Sequence, residues 1–259
     1  MPLIDVHDVH KVYGHRLSLV TAVAGISLAV AQGEFVGIMG PSGAGKTTLL
    51  NMMATIDRPT SGQIKIAGKD VTYLSERVLA KFRREQLGFI FQDFNLLAAL
   101  TVRENIILPL TLAGLKVPVI EEALQKTVHL LGLTAILARY PDEISIGQKQ
   151  RVACGRAIIN QPQLLFADEP TGSLDSQAAT ELLRYLTTIN QQLGTTIVLV
   201  THDAFTASYC KRILFIKDGA IFSEIVRQGS RQAFFQQVID MQATIGGGGN
   251  ANGPFTTSI

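Results

Sequence analysis

The sequence predicts an α/β fold: a mostly parallel core sheet with an antiparallel β edge and an inserted helical subdomain. Three observations carry this. Leu164-Leu165-Phe166-Ala167 and Thr196-Ile197-Val198-Leu199-Val200 are continuous apolar runs, the pattern of strands buried on both faces. Between them Leu182, Leu186, Ile189 and Leu193 recur at helical spacing, and Gly194 follows as a C-terminal stop. From about Asp93 to Asn160 strand signals vanish and only helical patterns remain. Strands alternating with helices argue for parallel pairing with helices on both faces.

The other elements follow in order. Apolar and polar residues alternate over Ile4–His10, which is expected as an edge strand. Further strands are expected at Ile26–Ala31, Glu34–Met39 and Gly62–Ala67. Ser75–Gln86 is charged and helix-like, and Gly88-Phe89-Ile90-Phe91 reads as a short buried strand. Thr101–Leu112, Val119–Leu131 and Gly147–Asn160 have helical patterns. Ile213–Ile216 and Ala220–Ile225 read as a hairpin around Asp218-Gly219. A helix is expected over Arg231–Met241, then a disordered glycine-rich tail from Gly246 onward. The expected organisation is one domain over 1–227, with its core in 1–92 and 161–227 around a helical insert at 93–160, then a helix and tail over 228–259.

Composition narrows the classes of partner. In 259 residues, Lys+Arg 23 against Asp+Glu 21 leave a net charge of +2, so no strong field favours nucleic acid or an acidic membrane. Cys154 and Cys210 show neither metal spacing nor a disulfide framework and are expected as reduced structural thiols in the cytosol. Asp5 and Asp8 interrupt any signal peptide. The most apolar stretch, Ile106–Leu115, carries Pro109 and ends at Lys116, too short to span a bilayer. The expectation is a soluble protein whose membrane link comes through a partner.

Gly40-Pro41-Ser42-Gly43-Ala44-Gly45-Lys46-Thr47 matches G-x-x-x-x-G-K-[ST] at every fixed position, between an apolar strand-like run and the helix-like Thr48-Leu49-Leu50. Glycines let backbone N–H groups turn toward an anion, and the following helix aims its positive end at the same place. Lys46 supplies positive charge for β- and γ-phosphates, and Thr47 a hydroxyl for Mg2+; Thr48 joins the expected phosphate-binding set. The run Leu164–Ala167 ends in Asp168-Glu169, carboxylates placed where ligands bind in open α/β sheets. Asp168 is expected to hold Mg2+ and Glu169 to polarise an attacking water. His202 ends another core strand and is placed to sense a γ-phosphate. Gln92 stands where the first half of the sheet gives way to the helical insert, placed to reach Mg2+ and the attacking water. His7, His10, His15 and His129 are assigned no chemistry. Ser145 reads as the N-cap of an amphipathic helix that opens with Gly147-Gln148. That helix end is also an anion site, and lying in the insert it need not face its own chain's phosphate loop; it can complete the site of a second copy.

Together these residues resemble the nucleotide-binding subunit of ABC transporters, a branch of the P-loop NTPases, over about residues 1–227. Gly40–Thr47 is similar to the Walker A loop and Leu164–Glu169 to the Walker B strand with its catalytic glutamate. Gln92 falls at the Q-loop, Asp175 at the D-loop and His202 at the switch histidine, while Tyr13 stands where the family stacks an aromatic ring on adenine. One departure is Ile144-Ser145-Ile146-Gly147-Gln148, where the family reads Leu-Ser-Gly-Gly-Gln. If position 146 needs a positive φ, the change to isoleucine costs about 1–2 kcal/mol. The resemblance implies two ATP–Mg2+ sandwiched between two copies, each held by one copy's Walker A loop and the other's Ser145, Gly147 and Gln148. It also implies a membrane permease docked near Gln92, and hence a position at the cytoplasmic face of the membrane.

Phe91–Leu97 and Leu100–Ile106 resemble the branch serving lipoprotein release, macrolide export and antimicrobial-peptide resistance. Thr201–Cys210, Phe215–Gly219 and Arg231–Gln236 are similar to the bacitracin-type peptide-resistance ATPases, which work with a large permease, often beside a sensor kinase. A lipoprotein-release or macrolide-export ATPase is the alternative. Non-transport ABC ATPases of DNA repair or translation fit poorly: the insert has no sustained heptads, there is one Walker A loop, and the charge is near neutral. Glu169 argues against a binding module that never hydrolyses.

Overall fold

The computed structural model describes residues 2–15 and 18–246. In chain order the strands are β1 (Ile4–His15), β2 (Ser18–Val30), β3 (Phe35–Met39), β4 (Ser61–Ile66), β5 (Lys69–Asp70), β6 (Leu87–Ile90), β7 (Leu164–Asp168), β8 (Thr196–Val200), β9 (Arg212–Lys217) and β10 (Ala220–Val226). The helices are α1 (Lys46–Met53), α2 (Glu76–Gln86), α3 (Val102–Leu112), α4 (Val117–Leu130), α5 (Ile146–Ile158), α6 (Ser176–Leu193), α7 (Ala204–Ala207) and α8 (Arg231–Gly246).

One sheet has the order β10-β9-β3-β8-β7-β6. Strands β9, β3, β8, β7 and β6 are parallel, and β10 returns antiparallel to β9. Asp218 (φ 50°) and Gly219 (φ 77°) make that return through two left-handed residues, the conformation a tight hairpin demands. Every residue of β3 and β8 is buried. Side chains alternate across the sheet and so feed two cores. Leu165, Ala167, Ile197 and Leu199 pack with α3, α4, α5, α6 and α8. Leu164, Phe166, Val198 and Val200 pack with α1 and the second sheet.

The second sheet is antiparallel, in the order β2-β1-β4-β5. Here the sequence reading needs correction. Strand β1 is not an edge: it pairs with β2 on one side and β4 on the other. Its alternation reports one face toward the core, with Ile4, Val6 and Val9 buried, and says nothing about lateral partners. A bulge at Asp8 (φ 45°) breaks the period between Val6 and Val9. Strand β2 begins eight residues before Ile26, because its first half is held by pairing to β1 rather than by burial; Leu19 and Val20 are exposed. The two-residue β5 carries no sequence signal.

Between β6 and β7 no strand occurs among the described residues, as the helical patterns predict. Thr101 and Glu104 form a capping box that starts α3. Helix α8 runs to Gly246 and buries Phe234, Val238 and Ile245, so the aromatic pair near its start is a packing face. The expected tail beyond it lies outside the described residues. Both cysteines are free and buried, and burial pushes the Cys154 thiol up to about 12. No described helix is long and apolar enough to cross a membrane.

Helix α5 lies directly on β6. A Cβ at Gly88 would stand 2.3 Å from the Ala157 carbonyl oxygen and 2.8 Å from Leu165. Gly88→Ala must therefore lift α5 off the sheet, at about 1–3 kcal/mol. A lowered urea midpoint is expected; an unchanged midpoint would show that α5 is not seated this closely.

Candidate active site

Helix α1 starts without a side-chain cap and without an acidic residue in its first turn. Its N-cap, Gly45, has φ 96°, and a Cβ there would meet the Ala22 carbonyl oxygen at 2.1 Å. The chain can therefore pass only as glycine, and it leaves the first helical N–H groups aimed at the loop's concave side. At Gly43 (φ 78°) nothing lies within 4 Å of the missing Cβ, so the space is open to a ligand. Ser42, Gly43, Lys46, Thr47, Thr48 and Glu169 line a cleft of about 300 Å³. Lys46 is 9% exposed and donates to the Pro41 carbonyl at 2.9 Å. Burial pushes its ammonium below the usual lysine range, against the opposing pull of Glu169 and Asp168. An anion in the cleft relieves that cost.

The carboxyl end of β7 delivers two acids to this cleft. The Thr47 hydroxyl donates to Asp168 Oδ1 at 3.2 Å. Desolvation raises the Asp168 pKa, with Thr47 opposing it and Glu169 adding to it. A hydroxyl and a carboxylate this close suit a hard cation that takes oxygen ligands and completes its shell from water and phosphate, which is how Mg2+ binds. No cluster of three or more His, Cys, Asp or Glu able to hold a metal by themselves occurs among the described residues.

Glu169 has φ 45°, a left-handed conformation that costs a non-glycine residue about 1 kcal/mol or more. The strain falls on the residue whose side chain must leave the strand at a fixed angle. Its Oε1 is 2.8 Å from His202 Nδ1. Its backbone N–H still joins Val200 O at 2.9 Å, so the ladder with β8 continues past the acids. The His202 carbonyl accepts from Gln242 of α8 at 2.7 Å.

Other residues singled out from sequence lie around this centre. The Tyr13 hydroxyl donates to Asp57 at 2.6 Å. Burial, then Asp57, raises its pKa. Lys11 stands 4.8 Å from the Tyr13 ring centroid and also binds Asp57. Sequence reasoning missed both Lys11 and Asp57; nothing in their spacing marks them. The Gln92 side chain stands beside Gly172, with no hydrogen bond to Thr47 or Asp168 among the described residues. Asp175 N-caps α6 by accepting from Ala178 N at 2.8 Å. Ser145 and Gln148 form a reciprocal capping box on α5. Ser145, Gly147 and Gln148 do not line the phosphate-loop cleft of their own chain. Ile146 opens α5 without a positive φ, so the feared backbone strain is absent. Also missed was Gln150, fully buried and bonded to the Pro170 carbonyl.

Because the folded protein holds a proton on Asp168 more tightly than the unfolded chain does, ionised Asp168 opposes folding. The cost grows as pH rises from the ordinary aspartate value through the raised one and persists above it. Asp168→Asn should therefore raise the melting temperature of the apoprotein at pH 7, with the gain shrinking as pH falls toward 4. Stabilisation by ADP–Mg2+ should be smaller in the variant than in the wild type. A variant that melts below the wild type at pH 7 would contradict the assignment of burial as the dominant effect.

The sequence profile of the ABC transporter family matches residues 23–172. The chain is 47% identical to the bacitracin export ATP-binding protein BceA of Halalkalibacterium halodurans, over 95% of this chain and 98% of that one. It is 42% identical to the macrolide export ATP-binding/permease protein MacB of Marinobacter nauticus, over 86% of this chain but 34% of that one. Among solved structures, a dimeric post-hydrolysis state of the ATP-binding cassette MJ0796 bound to ADP and Pi is similar at a TM-score of 0.81. That match has 35% identity and covers 88% of this chain and 100% of that one. By that profile and by identity along nearly its whole length, the chain belongs to the ABC transporter family, as an ATP-hydrolysing subunit.

Proposed function

We propose that this ATPase drives a permease conferring resistance to bacitracin-like peptides, and that Glu169 activates the water that cleaves ATP. The observation that carries the chemistry is the meeting of the phosphate loop with Asp168 and Glu169 at the carboxyl ends of parallel strands. Identity to a bacitracin export protein along nearly its whole length supports the peptide reading over the macrolide or lipoprotein alternative.

In this reading Lys46 turns from Pro41 to the β- and γ-phosphates. Thr47 and Asp168 would hold Mg2+, with Gln92 as a further oxygen ligand, and the metal would neutralise phosphate charge. Tyr13 offers its ring to the adenine. Glu169 accepts a hydrogen bond from water in line with the γ-phosphate. His202 donates from Nδ1 to Glu169; a neutral imidazole then has no second N–H. The ring therefore serves Glu169 or the phosphate in turn, and turning its proton to the phosphate frees the carboxylate for the water. Catalysis of this kind is mostly positioning and electrostatics.

A second copy supplies Ser145, Gly147 and Gln148 across the nucleotide, with Asp175 at the junction. The permease seats a cytoplasmic helix in a groove of about 470 Å³ lined by Arg84, Phe89, Phe91, Leu108, Pro109 and Asn160, beside Gln92. This holds the ATPase at the cytoplasmic face of the membrane. A sensor kinase is reached through the permease.

Glu169→Gln should lower turnover by about 10²–10⁴-fold while ATP accumulates a dimer on gel filtration; equal turnover in both proteins would remove Glu169 from its role. A strain lacking this chain should become sensitive to bacitracin while keeping its sensitivity to macrolides. Unchanged bacitracin sensitivity would overturn the peptide reading and leave the ATPase intact.

A further inference from the structure

Gln150 lies on α5 with no exposed surface. Its side-chain nitrogen donates to the Pro170 carbonyl at 2.7 Å and points at the Phe91 carbonyl at 3.4 Å. Both acceptors sit where the chain leaves the carboxyl edge of the sheet. Phe91 follows β6 and precedes Gln92; Pro170 follows Glu169. The parallel ladder between these strands pairs Ile90 with Ala167, so Phe91 and Pro170 lie beyond it; the Phe91 carbonyl accepts a long bond from Phe94 N at 3.4 Å, and the Pro170 carbonyl takes its partner from Gln150.

The other end of the amide is unusual. Gln150 Oε1 is buried and has no hydrogen-bond partner among the described residues. Turning the amide over would aim that oxygen at two carbonyl oxygens, so the orientation is fixed by its surroundings. An orphaned buried acceptor is costly, and an apolar side chain of the same length would fill the space without it. Packing alone therefore does not account for a glutamine here.

We infer that Gln150 is a positioning residue for ATP hydrolysis. It ties the helix that opens with Ser145 to the two chain exits carrying Gln92 and Glu169. A shift of α5 is felt at both exits, and the exits hold their spacing only while the tie is made. This rests on the reading of Glu169 as the water-activating base.

The test compares Gln150→Met, of similar length and without polar atoms, with Cys154→Ala, one turn on and equally buried in α5. Measured on the full chain are kcat, KM, the Kd for a fluorescent ATP analogue, the melting temperature and amide exchange. Gln150→Met should lower kcat at least about tenfold, equivalent to about 1.4 kcal/mol in the barrier, with the nucleotide Kd within about twofold. Faster amide exchange should be confined to residues 91–95 and 171–174. Cys154→Ala should lose melting temperature without that loss of kcat. Gln150→Leu serves the same comparison if the Met variant does not fold. A kcat near the wild-type value, or a loss no greater than in Cys154→Ala, overturns the inference. An active Glu169→Gln enzyme would instead overturn the reading beneath it, so the two failures are separable.

Discussion

The site exists because four strand ends share one edge. Parallel pairing sets Ile38 opposite Val200, Val200 opposite Asp168 and Ala167 opposite Ile90. That register places the phosphate loop, His202, the Asp168-Glu169 pair and Gln92 in one row. The ladder even runs past the strands, with Thr201 N bonded to Ile38 O and Glu169 N to Val200 O. A slip of one residue in any strand would turn its functional side chain away from the edge. Two-sided burial of β3, β7 and β8 makes such a slip expensive, so the core enforces the chemistry.

That arrangement works against stability at its centre. A nearly buried ammonium at Lys46 and a half-buried carboxylate at Asp168 both carry shifts that burial imposes. Glu169 adds a left-handed backbone, and Gln150 an unpaired oxygen. These costs gather around the carboxyl ends of the strands, while large hydrophobic clusters pack on either side of the sheet. Strain of this kind persists only where surrounding packing over-determines it.

Much of this was legible in the sequence because the strongest signals are local. Val198 and Phe166 sit in unbroken apolar runs, and Gly40 and Gly45 punctuate a fixed motif. What was not legible depends on neighbours distant in sequence. The central place of β1 follows from pairing with β4, which no alternation in Ile4–His10 encodes. The length of β2 comes from backbone pairing over exposed residues, where hydrophobicity is silent. Lys11 and Asp57, 46 residues apart, meet only through the fold to hold Tyr13. Gln150 looked like one polar residue of an amphipathic helix, yet it points inward to carbonyls released by two strands.

The isoleucine at position 146 shows how far local geometry decides which substitutions a site accepts. Ile146 occupies the first helical position of α5 and its side chain is 52% exposed, so no neighbour in its own chain competes for the space. Gly147 differs: a Cβ there would stand 3.0 Å from the Ala178 Cβ, on the helix that Asp175 caps. Close approach of α5 to α6 therefore demands the second glycine and not the first. The capping box also leaves the anion-binding capacity of this helix end intact. Ser145 Oγ accepts from Gln148 N, which keeps its hydroxyl proton free to donate, and the N–H groups of Ile146 and Gly147 are not used by the capping box. The chain thus replaces the first glycine of the family pattern at a position where a side chain can be added without moving either helix or consuming a donor.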